Sequence, residues 1–345
     1  MRRKGWPSQF GNNKRPGTPV AAGCLGRSMG IDLNGYQTTV NERVTLSGVG
    51  VHNGTPVSVT FLPADPDTGI VFQKTIKNRD GREVRAVVAE VGSTDFCTVL
   101  GDCDASRIGT VEHLMATLSA LGVDNLTVLI DGDEVPILDG SAQEFVDAID
   151  QVGLQFQPVK RRYIRIKKAI RVDLGASWAE FHPYSGTRFE VEIDFANPAI
   201  GRQAYVGDID AASFRRDLAR ARTFGFMKDV ERLWAAGLAL GSSLDNSIVI
   251  GDDERVINHG GLRYKDEFVR HKTLDAIGDL ALAGARFIGC YRSYRGGHKL
   301  NSQALRLLLS DSSAYEIVEP APREKRGMMP EFVAVNAPAF APWVL

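Results

Sequence analysis

The stretch "FLPADPDTGIVF", residues 61–72, runs from a β-like segment through a turn at Asp65 to Gly69 and into a second apolar run. Residues 181–195, "FHPYSGTRFEVEIDF", repeat Phe-x-Pro, a turn glycine (Gly186) and a β run. Each copy is followed by a helical segment carrying a histidine, His113 and His271. The recurrence reads as a duplicated domain. Around the first copy, "QTTVNERVTLSGVGVHNGTPVSVTFLPA" (37–64) alternates apolar and polar residues about Gly and Asn turns, the pattern of antiparallel strands. "GIVFQKTI" and "EVRAVVAEV" continue it. "TVEHLMATLSALG" (110–122) then predicts a helix with Thr110 as N-cap and Gly122 as stop. A strand "NLTVLID" and a helix "SAQEFVDAIDQVG" follow, and "LQFQPVKRR" (154–162) breaks the helical period at the expected junction of the two halves. The second copy is longer before its histidine; the extra length holds an apolar helix, "MKDVERLWAAGLALGSS", and a strand, "NSIVIG".

A chain of 345 residues with 43% apolar content can bury two cores. Its net charge of −1 creates no global basic field, so a nucleic-acid partner is not expected. No run approaches the roughly 20 apolar residues of a membrane span. Four cysteines without a C-x-x-C pair point to reduced thiols in the cytoplasm. "MRRKGW" and "AAGC" near the N-terminus resemble export signals, but the polar, Gly/Pro-rich "PSQFGNNKRPGTPV" between them is no signal core. Residues 1–33 read as a flexible tail.

The chemistry-bearing residues cluster around few histidines. In "HKTLDAIGD" (271–279), each helical residue advances about 100°, so His271, Asp275 and Asp279 share an arc of about 80°. That arc fits a solvated polar face as readily as a site. His113 directly follows Glu112, and His298 sits in the glycine-rich "RGGHKLN". A hydrolytic metal site needs three protein ligands, an open position and a nearby carboxylate base. His113, His271 and Asp275 supply such a ligand set, with Glu112 as base by the logic of H-E-x-x-H; as plain helix residues they also read as surface groups and a first-turn acid.

Six blocks, "TVEHLMATLSALGVDN", "VPILDGSAQEFV", "ARTFGF", "GSSLDNSIVI", "LRYKDEFVRHKTLDAIGDL" and "GGHKLN", together resemble the UDP-3-O-acyl-N-acetylglucosamine deacetylases, zinc enzymes of lipid A biosynthesis. The resemblance runs in one order from about residue 35 to about residue 312. It implies an α+β fold of two similar domains, each a sandwich of β-sheet and helices, with the active site in the cleft between them. The expected domains are 34–158 and 159–315, with an irregular C-terminal extension over 316–345. The resemblance implies Zn2+ on His113, His271 and Asp275, Glu112 as general base and His298 as general acid. Asp279 becomes the partner of His298, Thr223 a hydroxyl near the oxyanion, and Lys272 a polar group of the site. Substrate contacts fall on Arg295, Phe224, Leu238 and Leu240, the leucines lying in the insert "RLWAAGLALG" (232–241), which would line a passage for the acyl chain. His52 falls near the site. The implied reaction removes the N-acetyl group of UDP-3-O-acyl-N-acetylglucosamine, giving acetate and UDP-3-O-acyl-glucosamine, the committed step of lipid A biosynthesis. The enzyme is expected to be a cytoplasmic monomer.

Two other readings stand beside this one. "DGDE" (Asp131 to Glu134) has the form of an Asp-x-Asp motif that holds magnesium or manganese for a glycosyltransferase. A catalytically silent relative that binds the nucleotide sugar as a regulator would lack some required residue type, and none is missing.

Overall fold

Alternating patterns become strands and the two histidine segments become helices, as described for residues 35–75, 82–103 and 105–319 in a computed structural model. The expected tail (1–33) and residues 320–345 of the extension lie outside the described residues. In chain order the first half holds β1 (Tyr36–Val40), β2 (Val44–Val49), β3 (Pro56–Pro63), β4 (Ile70–Lys74), β5 (Glu83–Arg85), α1 (Glu112–Leu121), β6 (Leu126–Ile130) and α2 (Gln143–Val152). The chain continues with β7 (Leu154–Lys160), β8 (Tyr163–Ile166), β9 (Ile170–Leu174), β10 (Ser177–His182), β11 (Thr187–Asp194) and β12 (Arg202–Asp208). It ends with α3 (Ala211–Ser213), β13 (Phe224–Phe226), α4 (Met227–Ala235), β14 (Ile248–Ile250), α5 (Glu267–Ala281), β15 (Arg286–Tyr294), α6 (His298–Ser310) and β16 (Tyr315–Val318).

The repeat in the sequence is a repeat in topology. One sheet runs β2-β3-β6-β4-β5, and the larger one contains β9-β10-β15-β11-β12. In each, the Phe-x-Pro strand (β3 or β10) lies antiparallel to a central strand (β6 or β15). The strand after the turn (β4 or β11) lies parallel to that same central strand. A parallel pair needs a long crossover, and in both halves the histidine helix is part of it. The fold is α+β. Strand β7 occupies the expected junction and pairs with β1, while β16 pairs with β8, so the chain remains regular past residue 316, where the irregular extension was expected.

Helices α1 and α5 pack directly against each other between these sheets. Every residue of α1 except Ser119 is buried, and α5 buries His271, Asp275 and Asp279 along with its apolar arc. The polar arc of α5 is therefore not a solvated face. Gly278 permits this contact: a Cβ there would fall well inside van der Waals distance of the Glu112 carbonyl oxygen. Gly278→Ala is expected to force the helices apart, costing about 1–3 kcal/mol or more and shifting Glu112 and His113. Thermal unfolding and activity of the variant check this, and an unchanged melting temperature would refute the close approach. The sheets close over a core in which Phe61, Phe72, Phe145, Phe181 and Phe214 are essentially inaccessible. Each such ring contributes roughly 1.5–3 kcal/mol on burial.

Three local expectations are corrected. Thr110 does not cap α1: its φ is 55°, the N-cap is Val111, and the Thr110 hydroxyl donates to Glu134 Oε1 at 2.8 Å. Within "EVRAVVAEV" only Glu83–Arg85 is strand, and Val88–Glu90 form a 3-10 turn. The helix expected across 232–241 stops at Ala235, because Gly237 and Ala239 take positive φ of 72° and 56°. Leu238 and Leu240 lie on the loop beyond it, and Leu240 is 53% exposed. No helix among the described residues is long and apolar enough to cross a membrane. The described cysteines Cys97, Cys103 and Cys290 are free.

Candidate metal centre and acid–base cluster

The contact between α1 and α5 brings His113 from one helix against His271 and Asp275 from the other. The two imidazoles meet edge to face, with centroids 5.0 Å apart. Their Nε2 atoms lie 3.6 Å (His113) and 3.3 Å (His271) from Asp275 Oδ1. That oxygen is buried and has no hydrogen-bond partner. A buried carboxylate oxygen left unpaired between two imidazole nitrogens is costly unless a cation joins them. Among the described residues, this is the group of potential ligands close enough to share an ion, its ligand atoms lying within 4.8 Å of one another.

The protonation pattern suits the same role. His271 Nδ1 donates to the Ala221 carbonyl at 3.1 Å, which leaves the Nε2 lone pair facing Asp275. Burial pushes the His271 imidazole down to about 3, so it stays neutral. Burial opposes ionisation of Asp275, but the Lys272 ammonium beside it holds its carboxyl well below the usual range. Lys272 Nζ donates to Asp275 Oδ2 at 2.6 Å. Two imidazoles and one carboxylate form a three-ligand set with room for a further position, the arrangement of catalytic rather than structural metal sites.

Beside this set lies an acid–base cluster. Glu112, the first residue of α1, is buried and accepts the Thr98 backbone N–H at Oε2, 3.1 Å. Burial raises its pKa above the ordinary carboxylate range, against the pull of His298 and His113. Its Oε1 stands 3.7 Å from His298 Nε2. On its other side His298 donates from Nδ1 to Asp279 Oδ2 at 2.9 Å. Burial lowers the affinity of His298 for a proton, but the Asp279 and Glu112 charges outweigh it, and the imidazole is pushed up to about 9. Asp279 is held further by the Asn301 amide (2.7 Å) and the Thr98 hydroxyl (2.5 Å), and Asn301 accepts from Tyr291 (2.6 Å).

Thr98, Tyr291 and Asn301 escaped the sequence reading. Only Asn301 carried a local signal, three residues after His298 on α6, where the two side chains lie on one face. Thr98 joins Glu112 to Asp279 through two tertiary hydrogen bonds that no spacing announces.

The remaining expected residues fall at varying distances from this centre. Phe224 packs edge-on to His271 at 6.3 Å, and Lys272 Nζ sits 5.9 Å from its ring centroid. Thr223 lies between Phe224 and Arg222; its N–H donates to Gly140 and its carbonyl accepts from Ile248. Gly140, in "VPILDGS", has φ 82° and abuts the Asn246 carbonyl so closely that a Cβ has no room, so this turn positions Thr223. Arg295 is exposed, with φ 50° and a backbone bond to Glu192. His52 has a buried, unpartnered Nδ1 and feels the charge of His298; its carbonyl accepts the Leu240 N–H at 3.0 Å. Leu238 and Leu240 thus sit on the loop beside the His52 turn. His182 bonds to Glu180, and His259 is exposed.

The side chains of "DGDE" are committed to fastening turns. Asp131 accepts from Ser58, Asp133 pairs with Lys74, and Glu134 accepts the N–H groups of His52 and Asn53. No metal-ligand cluster forms there among the described residues.

The family model described as "LpxC: UDP-3-O-acyl N-acetylglycosamine deacetylase" matches residues 37–310. Proteins named UDP-3-O-acyl-N-acetylglucosamine deacetylase from Brucella ovis, Brucella canis and Brucella suis are each 63% identical over 287 residues, covering 83% of this chain and all of theirs. With most of its length matched by the family and by full-length relatives, the chain belongs to the LpxC family of UDP-3-O-acyl N-acetylglycosamine deacetylases.

Proposed function

We propose that this protein hydrolyses the N-acetyl group of UDP-3-O-acyl-N-acetylglucosamine, releasing acetate and a free 2-amino sugar in lipid A biosynthesis. Family membership supports the reaction. The observation that carries the site assignment is the unpartnered Asp275 Oδ1 between His113 Nε2 and His271 Nε2, beside Glu112 and His298. We assign zinc as the ion, held by His113, His271 and Asp275, and the cytoplasm as the compartment. Bound there, zinc supplies Lewis acidity at the scissile carbonyl and makes water a better nucleophile near neutral pH.

The chain's own groups divide the proton work. Glu112, its pKa raised by burial, takes the proton of the attacking water as base. His298, charged because Asp279 and Glu112 flank it, gives a proton to the departing sugar nitrogen. The Thr223 hydroxyl is assigned to donate to the developing oxyanion. Lys272 holds Asp275 ionised through its 2.6 Å contact. Phe224 covers the His271 edge and keeps water off it. Incubation with UDP-3-O-acyl-N-acetylglucosamine, followed by mass analysis, tests the reading: loss of one acetyl group with release of acetate is expected, and an unaltered substrate refutes it.

The loop bearing Leu238 and Leu240 is assigned to the acyl chain, and Arg295 to the nucleotide diphosphate. An exposed apolar residue beside the site, Leu240, is the support for this placement. Substrate binding should then strengthen by up to about 0.8 kcal/mol per buried methylene until the passage is full. Leu238→Trp and Leu240→Trp are expected to shorten the preferred chain while leaving metal content unchanged. An acyl-length ladder assayed on both variants decides this; an unaltered length preference would move the acyl site elsewhere.

A further inference from the structure

A cavity of about 420 Å³ opens where the C-terminal part of α1 and the end of α5 meet the edges of both sheets. None of the metal or acid–base residues lines it. Its volume lies within the range of small-molecule sites, about 300–1,000 Å³. Part of its wall is apolar, with Met115, Leu118, Ile164 and Leu309. The rest carries Arg85, Arg162 and Arg286 against Asp67 and Asp124. Both carboxylates are already engaged: Asp67 by Arg162 at 2.7 Å, and Asp124 by Arg161 at 2.6 Å and 2.7 Å. Arg286 makes no ion pair among the described residues, and burial together with the neighbouring Arg161 charge depresses its guanidinium. Arg161 itself is 1% exposed, and its Nη1 is buried without a hydrogen-bond partner. Arg286 and Arg161, the latter not itself a lining residue, thus share the one carboxylate of Asp124, already taken by Arg161. With three lining arginines against two engaged carboxylates the wall is net positive, and an anion at Arg286 lowers its energy.

We propose that this cavity is a second ligand site, one that takes a single-chain amphiphile with an anionic headgroup. The headgroup, a carboxylate or a phosphate, pairs with Arg286, and the alkyl chain lies along Met115, Leu118, Ile164 and Leu309. Helix ends favour cations, not anions, at their carbonyl termini, so the chain rather than the head belongs against α1 and α5. An occupant would touch α1 and α5, the helices that carry Glu112, His113, His271, Asp275 and Asp279, which gives it a route to modulate the site.

Titration calorimetry on the full chain tests this with four probes: laurate, dodecyl phosphate, dodecanol and inorganic phosphate. Laurate, dodecyl phosphate or both should bind, and the tighter of the two identifies the head. Arg286→Gln should weaken that binding about 10–100-fold, the loss expected for a charge-assisted hydrogen bond. Ser119→Phe, which fills the cavity from α1, should abolish it. Both variants should keep wild-type deacetylase activity without amphiphile. Equal binding of dodecanol would overturn the role of the arginines, and equal binding of inorganic phosphate would overturn that of the chain. Binding that substrate displaces and that neither variant weakens would belong to the catalytic site and overturn the proposal, as would no binding by any probe.

Discussion

His113→Ala and His271→Ala are expected to purify folded but nearly free of metal and without measurable turnover, whereas Glu112→Gln retains the metal and loses about 10²–10⁴ in kcat. The contrast follows from where the side chains point. The imidazole Nε2 atoms converge on Asp275 Oδ1 at 3.6 Å and 3.3 Å, so each can serve as a ligand to an ion placed there. Glu112 instead turns one oxygen to the Thr98 N–H and the other toward His298. Its replacement removes a proton acceptor and leaves coordination intact. Glutamine preserves the Thr98 hydrogen bond, so helix α1 keeps its position and the loss reports on the missing carboxylate charge and proton acceptor rather than on the fold. Elemental analysis of the purified variants, alongside single-turnover rates, separates the two roles. Stoichiometric metal in both histidine variants would falsify the ligand assignment.

Much of this site was written into local spacing. A period of four put His271, Asp275 and Asp279 on one arc, and adjacency put Glu112 beside His113. Spacing did not say that the arc was buried. That depends on Gly278, whose missing Cβ lets α1 approach α5, and a glycine inside a helical pattern reads as a weakness until its neighbour is known. The duplicated Phe-x-Pro segments were legible for a related reason: the turn reverses the chain, so the strand before it runs antiparallel and the strand after it parallel to the central strand that lies between them.

What failed locally failed through tertiary competition. Thr110 has the residue type of an N-cap, but Glu134 claims its hydroxyl and the backbone takes a positive φ. The apolar period of "RLWAAGLALG" continues through Leu238, yet Gly237 turns the chain out of the helix before it. "DGDE" has the composition of a metal motif, and its carboxylates are consumed by Ser58, Lys74 and the His52 turn. For Thr110 and "DGDE" the deciding partner lies outside the sequence window in which the pattern was read; for the insert it is Gly237, inside the window.

His298→Ala is expected to lower kcat by about 10²–10⁴ with metal content unchanged, and Asp279→Asn by about 10–100-fold, since Asp279 acts through His298. The pH dependence gives the sharper test. In the free enzyme the His298 imidazole is pushed up to about 9, so its acid form persists through neutral pH and is lost as pH rises through that value. The basic limb of kcat/KM should therefore fall near pH 9. Asp279→Asn removes the largest of the charges that oppose the burial of His298, so the limb should move to lower pH. Asn301 and Thr98 still hold residue 279 in place in that variant, which keeps the effect electrostatic rather than positional. The same shift bears on stability. A histidine whose folded pKa exceeds its unfolded value, about 6.5, stabilises the fold fully below 6.5, and that contribution disappears as pH climbs to about 9. In the parent enzyme the His298 share of stability should thus decline from about pH 6.5 and be gone by about 9, whereas activity falls only as pH rises through about 9; in Asp279→Asn both limits set by the folded-state imidazole move to lower pH. A basic limb that stays fixed in Asp279→Asn would assign the limb to another group and withdraw the general-acid role from His298.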